Sequence, residues 1–244
     1  MYLYKNQLIR KTELLEQDIT EMYQLVDSFY DNMNPKEFLR TLAKKDYVFL
    51  VRSPYGAIRA FTTIQLFQIL GRKPKSQGIL LGDIITHQNF AGEKNLIWEV
   101  LVRFEQIPSK YVERYVFLTC RDCWTYHAFQ DSFNRFYPSE EQDTPIYIKR
   151  ILNLFGEYYF NGEYEIANGI IKNRCFPRKM KESRRKMRED AMARDAMKKG
   201  ENAYFLMRNP GFADGDGLIC IAELAERKQM ESMMERLPLA NMRP

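Results

Sequence analysis

The spacing of apolar residues changes several times along this chain, and the changes mark out its elements. Residues 78–86 (GILLGDIIT) form an apolar run rich in branched side chains, the composition of a buried strand. Residues 87–92 are polar and end in glycine, where the chain must turn. From Glu93, apolar residues fall at Leu96, Ile97, Val100, Leu101, Phe104 and Ile107, the spacing of a helix with one buried face. Strand, loop and helix start together make a seat for an anion, because the first helical N–H groups have no partner within the helix.

The same pattern extends in both directions. Residues 5–11 read as a first, edge strand. Asp18 with Glu21 reads as a capping box, and Ile19, Met22, Tyr23, Val26, Phe29 and Tyr30 recur at helical spacing. Asn34, Pro35 and Glu37 signal a second helix start, with Phe38, Leu39 and Leu42 on its apolar side. Residues 47–52 and 57–70 are predicted strands around a Ser53-Pro54-Tyr55-Gly56 turn, and residues 115–120 another. Residues 124–136 are a predicted helix ending at Tyr137-Pro138. Further on, Thr144-Pro145 opens a helix through Ile148, Leu152 and Phe155. Asn161-Gly162 and Asn168-Gly169 are turns beside short strands. Residues 174–200 read as a charged helix, residues 203–208 and 217–224 as two strands, and residues 224–237 as a last helix.

Charge and cysteine content refine this picture. The net charge is +5, but residues 174–199 hold 11 Lys/Arg against 4 Asp/Glu, so the basicity belongs to one segment. The segment has an apolar stripe (Met180, Met187, Ala191), and its run RKMKESRRKMRED, residues 178–190, has no interleaved aromatics, which disfavours nucleic acid. A solvated helix packed by its stripe, or a surface for an acidic protein partner, fits it better. No apolar run approaches the roughly 18 residues of a membrane span. The start lacks the core of a signal peptide, so a cytoplasmic protein is expected. Four cysteines in 244 residues are too few for a disulfide scaffold. Cys120, Cys123 and His127 have the spacing C-x2-C-x3-H, compatible with metal or redox chemistry. The simpler reading makes Cys120 a small buried hydrophobe, and no metal site is expected.

The element order β-α-α-β-β-β-α-β-α through Pro138 resembles the GNAT superfamily of N-acyltransferases. The loop NPGFADGDG, residues 209–217, resembles one near the C-terminus of bacterial GNAT-like proteins. The resemblance implies an α/β (α+β) fold: a mixed, mostly antiparallel twisted sheet flanked by helices. One GNAT-like domain would span residues 1–244, with a helical insertion at 139–202 before the last strands and a helix and tail at 225–244. It implies an acyl-CoA cosubstrate, acetyl-CoA or another, whose pantetheine arm enters where two strands splay apart. The cofactor-binding residues would then be Ile85, Thr86, His87, Gly92, Glu93, Lys94 and Asn95. The family's phosphate pattern, Q/R-x-x-G-x-G/A, is replaced here by Ala91, Lys94 and Leu96 at its three diagnostic places.

Acyl transfer to an amine needs a base for the ammonium, a polarised carbonyl and a proton for the thiolate. The resemblance makes Asp83, in the predicted strand at residues 78–86, the base; a structural acid paired to a Lys or Arg is its other reading. The helix tyrosine that often serves as acid in the family falls at Ser132 or Phe133 here, which leaves Tyr126 as the catalytic candidate and Tyr137 nearby. The expected activity is acyl-CoA-dependent N-acylation of an amine-bearing small molecule or peptide. The alternatives are a non-catalytic GNAT-fold protein that binds a ligand or partner, and an acyltransferase whose donor rides on an acidic carrier protein docked at the basic helix. The methionine-rich last helix permits a homodimer.

Overall fold

The computed structural model describes residues 4–69, 76–88, 90, 96–173, 179–193 and 201–224. In chain order the elements are β1 (Lys5–Arg10), α1 (Glu16–Phe29), β2 (Tyr30–Asp31), α2 (Pro35–Ala43), β3 (Tyr47–Arg52), β4 (Ile58–Ile69), β5 (Ser76–Leu81) and β6 (Ile85–Thr86). There follow α3 (Leu96–Glu105), β7 (Glu113–Cys120), α4 (Cys123–Asp131), β8 (Phe136–Tyr137) and α5 (Ile146–Tyr159). The last are β9 (Tyr164–Glu165), β10 (Ile170–Ile171), β11 (Lys179–Met180), α6 (Glu182–Ala193), α7 (Glu201–Arg208) and β12 (Gly217–Glu223).

The main sheet runs β1-β3-β4-β5-β7-β12-β10-β9, with β6 beside β4 and β8 beside β12. Every pairing in it is antiparallel except β5 with β7. The fold is therefore a mixed, mostly antiparallel sheet with helices on both faces. Alternation along each strand assigns its side chains to the two faces. One face carries Ile79, Leu81, Val116, Leu118, Leu218 and Cys220, covered by the apolar sides of α3, α4 and α7. The opposite face is covered by two separate clusters. Helices α1 and α2 pack on Val48, Leu50, Ile58, Phe61 and Ile85. Helix α5 packs on Leu80, Tyr115, Phe117, Ile219 and Ile221. A cleft lies between them.

Three local expectations are corrected. Residues 203–208 belong to helix α7, not to a strand, so β12 is the single terminal strand among the described residues. Of the run AYFLMR only Phe205 is fully buried, against α4, with its neighbour Tyr204 partly buried beside it, while Leu206 and Met207 face solvent; adjacent residues share the core side, which an alternating strand would not allow. Asp18 sits in the first turn of α1, three residues after the cap position, accepting a bond from the Leu15 N–H at 3.3 Å. It also pairs with Arg52 at 2.7 Å. Finally, α4 ends at Asp131 and Phe136 begins a short strand on β12. The predicted last helix, residues 224–237, lies outside the described residues apart from Leu224.

The basic segment returns to the N-terminal helices. β11 pairs with β2, and the Lys181 N–H donates to the Phe29 carbonyl at 3.0 Å. At the start of α6, Arg184 is buried, with its guanidinium donating to the Thr86 carbonyl at 2.7 Å and lying 5.3 Å from the Phe29 ring centroid.

Candidate functional site

The site begins where the parallel pair ends. β5 and β7 stay in register from Ser76↔Glu113 to Leu81↔Leu118. Beyond that point the two strands follow different neighbours. The β5 chain bends into β6, which pairs with β4, while β7 runs on to Cys120 paired with β12. The sheet splits into a wedge between residues 82–86 and residues 119–121. The fold is GNAT-like.

A bulge shapes one side of the wedge. β4 pairs Ile64 with Leu81 and Phe61 with Ile85, so Thr62 and Thr63 face three residues, Gly82, Asp83 and Ile84. One extra residue reverses the alternation. Leu81 and Ile84 both face the α3 side, and both Gly82 and Asp83 line the cleft. The Gly82 N–H donates to the Thr63 carbonyl at 2.7 Å, and the Thr62 hydroxyl donates to the Gly82 carbonyl at 3.1 Å. Only glycine fits there: a Cβ at position 82 would lie 2.2 Å from the Thr63 hydroxyl.

The cleft holds about 520 Å³. Its floor includes Thr63, Gly82, Asp83 and Thr119; α2 and the end of α5 form its walls. Arg121 and Lys172 enter from the β7 side, and the loop of residues 209–217 holds both. Arg121 donates to the Gly215 carbonyl, and Lys172 Nζ reaches Asp216 at 2.8 Å. Buried Asp216 also accepts from the Asn173 N–H at 3.0 Å, and Asn209 donates to the Asp216 carbonyl at 2.9 Å. Gly215 has φ +90, so the turn uses the left-handed region that glycine enters freely. At Gly217 a Cβ would lie 2.4 Å from the Thr119 methyl and 3.5 Å from Cγ of Arg121. Asp216 is thus spent on a lysine and a backbone amide.

Of the described residues proposed from sequence, Asp83 and Ile85 line this cleft, the Ile85 side chain buried against the α1–α2 cluster. Thr86 is buried and its carbonyl receives Arg184. His87 follows, half-buried, its N–H bonded to the Arg59 carbonyl at 2.7 Å. Burial, then the charges of Arg59 and Arg184, lower its pKa from the ordinary 6.5. Gly92, Glu93, Lys94 and Asn95 lie outside the described residues. Tyr126 is on the other face of the sheet, in the core with Phe129 and Phe205. Its hydroxyl donates to the Pro138 carbonyl at 3.0 Å, and burial pushes its pKa far up. The Tyr126 hydroxyl is thus held in the core away from the cleft. His127 sits between Gln130 (3.2 Å) and Asn202 (2.8 Å), and burial with the neighbouring Cys220 pushes the Cys120 thiol up. Among the described residues no group of three His, Cys, Asp or Glu is placed to hold a metal. No described helix is long and apolar enough to cross a membrane. Arg121, Lys172 and Arg184 were not singled out individually as site residues, and each owes its place to a partner distant in sequence.

No family model matches the chain, and no curated protein matches it in sequence. Solved structures do resemble it in part. A probable N-acyltransferase from Enterococcus faecalis overlaps 52% of this chain and 32% of its own, at 13% identity and TM-score 0.40. The chain thus spans about a third of that protein's length. The GNAT family N-acetyltransferase YhbS from Escherichia coli, solved with CoA, overlaps 52% of this chain and 67% of its own, at 13% identity and TM-score 0.38. The ribosomal-protein-S18-alanine N-acetyltransferase of Escherichia coli overlaps 56% and 86%, at 13% identity and TM-score 0.39. The GNAT-like description rests on the strand order and the split parallel pair, and these overlaps are partial.

Proposed function

We propose that this protein is an N-acyltransferase that moves an acyl group from acyl-CoA to an amine. The observation that carries the reading is the wedge: a parallel pair that divides at Leu81 and Leu118, with a bulge aiming Asp83 into a cleft. That geometry supports an acyl-CoA as donor, since two strands that part leave an opening between them for a slender arm. The thioester, when bound, supplies the activated acyl group. The protein's part is to seat the amine and take its proton. Asp83 accepts that proton at a carboxylate oxygen, leaving the nitrogen lone pair free to attack. The cleft walls hold the acceptor over the wedge and limit water.

A second reading has a specific observation in its favour. The helix after β7 offers no free hydroxyl for the leaving thiolate: Tyr126 bonds Pro138, Ser132 bonds the Ala128 carbonyl at 2.7 Å, and Phe133 has none. A GNAT-fold protein that binds its ligands without transfer would look the same. A carrier-borne donor docked on α6 is a further variant; there Arg184 is buried and Arg185 pairs with Glu182 at 2.6 Å.

Calorimetric titration with acetyl-CoA and a longer acyl-CoA, followed by thiol release with a panel of amines, separates these readings. Binding with amine-dependent release supports transfer; binding without release supports the second reading. Asp83→Asn is expected to slow release by about 10²- to 10⁴-fold while acyl-CoA binding persists. An unchanged rate and pH profile would remove Asp83 as the base.

A further inference from the structure

The cleft is richer in cations than in acids. Five lysines and arginines line it against three carboxylates. Three of the cations, Arg40, Lys44 and Lys45, come from the C-terminal end of α2, where positive charge is favoured by the helix dipole alone. The other two lie outside the helices, Lys172 just after β10 and Arg121 between β7 and Asp122, the cap of α4. Lys172 is neutralised by Asp216. Arg121 is not: its bond goes to the Gly215 carbonyl, it forms no ion pair among the described residues, and its buried Nε donor has no hydrogen-bond partner there. A guanidinium held by one carbonyl, with its charge uncompensated, is suited to a planar or tetrahedral anion.

Its height in the wedge is informative. Leu81 and Leu118 are level in the parallel ladder. Asp83 lies two residues beyond the first and Arg121 three beyond the second. Both line the same cleft, so an acid and a cation with no ion pair among the described residues stand on the two sides of the split.

We propose that the acceptor is a small amine that also carries a carboxylate or a phosphate, with its ammonium at Asp83 and its anionic group at Arg121. This rests on the acyltransferase reading for the role of the amine, but not for its binding. The two charges of such a ligand would be opposite to those of Asp83 and Arg121, and an amine with no anionic group would bring the guanidinium no counter-charge.

The test reads binding without any acyl donor, on the full chain, by calorimetry or ligand-observed NMR. The probes are O-phosphoethanolamine, β-alanine and ethanolamine, which share a two-carbon spacer. At least one anionic probe is expected to bind tenfold or more tightly than ethanolamine; which one does so distinguishes phosphate from carboxylate. Arg121→Gln is expected to abolish that preference while acetyl-CoA affinity stays within twofold. Equal affinities for all three, or a preference that survives in folded Arg121→Gln, would overturn the proposal. If that variant does not fold, ethyl phosphate replaces it. Competition with O-phosphoethanolamine on the wild type supports an anion subsite, and its absence counts against one. If anionic amines bind through Arg121 yet none is acylated, the transferase reading falls and the subsite stands. If neutral and anionic amines bind and are acylated alike, the subsite falls and the transferase stands.

Discussion

Asp83 and His87 lie four residues apart and meet different surroundings. Asp83 is turned into the cleft by the extra residue of the bulge. His87 is at the end of the same run, where burial, Arg59 and Arg184 disfavour its charged form. The native state therefore resists protonation more than the unfolded chain does. Stability is expected to fall as pH drops from about 6.5 through the lower native value, because the unfolded state then binds more protons. The chain has two histidines, so an NMR titration can assign the His87 midpoint, expected below 6.5. In His87→Asn that part of the acid-side loss should vanish from thermal melts; a midpoint at or above 6.5 would contradict the electrostatic account.

At the scale of elements, the strap formed by β11 and the start of α6 depends on Arg184. Its guanidinium bonds the carbonyl of Thr86 and lies over Phe29, so it ties the start of α6 to both β6 and α1. Arg184→Leu keeps much of the volume and removes the charge-assisted bond, at a cost of about 1.5–3 kcal/mol. Urea unfolding should report that loss. Hydrogen exchange should become faster at the Lys181 amide, whose bond to Phe29 lies under the strap. Unchanged exchange would mean that β11 and β2 hold the segment without it. The removal of this cation should also raise the His87 midpoint toward 6.5, linking the element to the residue beside it. Residues 174–199 show a basic helix in sequence, yet nothing in the run RKMKESRRKMRED distinguishes the one arginine that is buried. Periodicity reports which face of a helix is apolar, and Arg184 goes inward for a carbonyl and a ring supplied by residues about 100 and 155 positions earlier. Asp83 was easier to find, since it is the only charge in an apolar run. Arg121 and Lys172 were harder: each directly follows a strand, β7 or β10, and the loop that fixes them comes 44 residues after the lysine. Residues 203–208 misled because an apolar run of six fits a buried strand and a short helix equally well.

For the whole molecule, the two helix clusters on one face matter because the cleft is the space left between them. Phe117 anchors the α5 cluster, with ring centroids 4.4 Å from Phe155 and 5.2 Å from Phe67. Gly78 leaves room for Phe67, whose ring would meet a Cβ there at 2.0 Å. Phe117→Ala should cost about 3–5 kcal/mol of global stability by leaving a cavity under α5. Denaturant midpoints in the presence and absence of acetyl-CoA would measure it; a loss under 1 kcal/mol would show that the cluster collapses to fill the gap. The strand order itself was legible through β7, because each element there neighbours one close in sequence. Beyond β8 it was not. β12 pairs with β7 across almost a hundred residues, and no local pattern records so distant a neighbour.

That distant pairing has a consequence for how the protein is made. A ribosome delivers the first seven strands long before β12 emerges, so β7 waits with one edge unpaired while roughly a hundred further residues are synthesised. An exposed strand edge in a nascent chain is a template for wrong partners. The carbonyl that holds Arg121 and the carboxylate that holds Lys172 belong to the turn just ahead of β12. A nascent chain stalled before that turn would carry Asp83 and the bulge but lack both clamps, so the proposed acceptor site would be completed only once that turn has been synthesised.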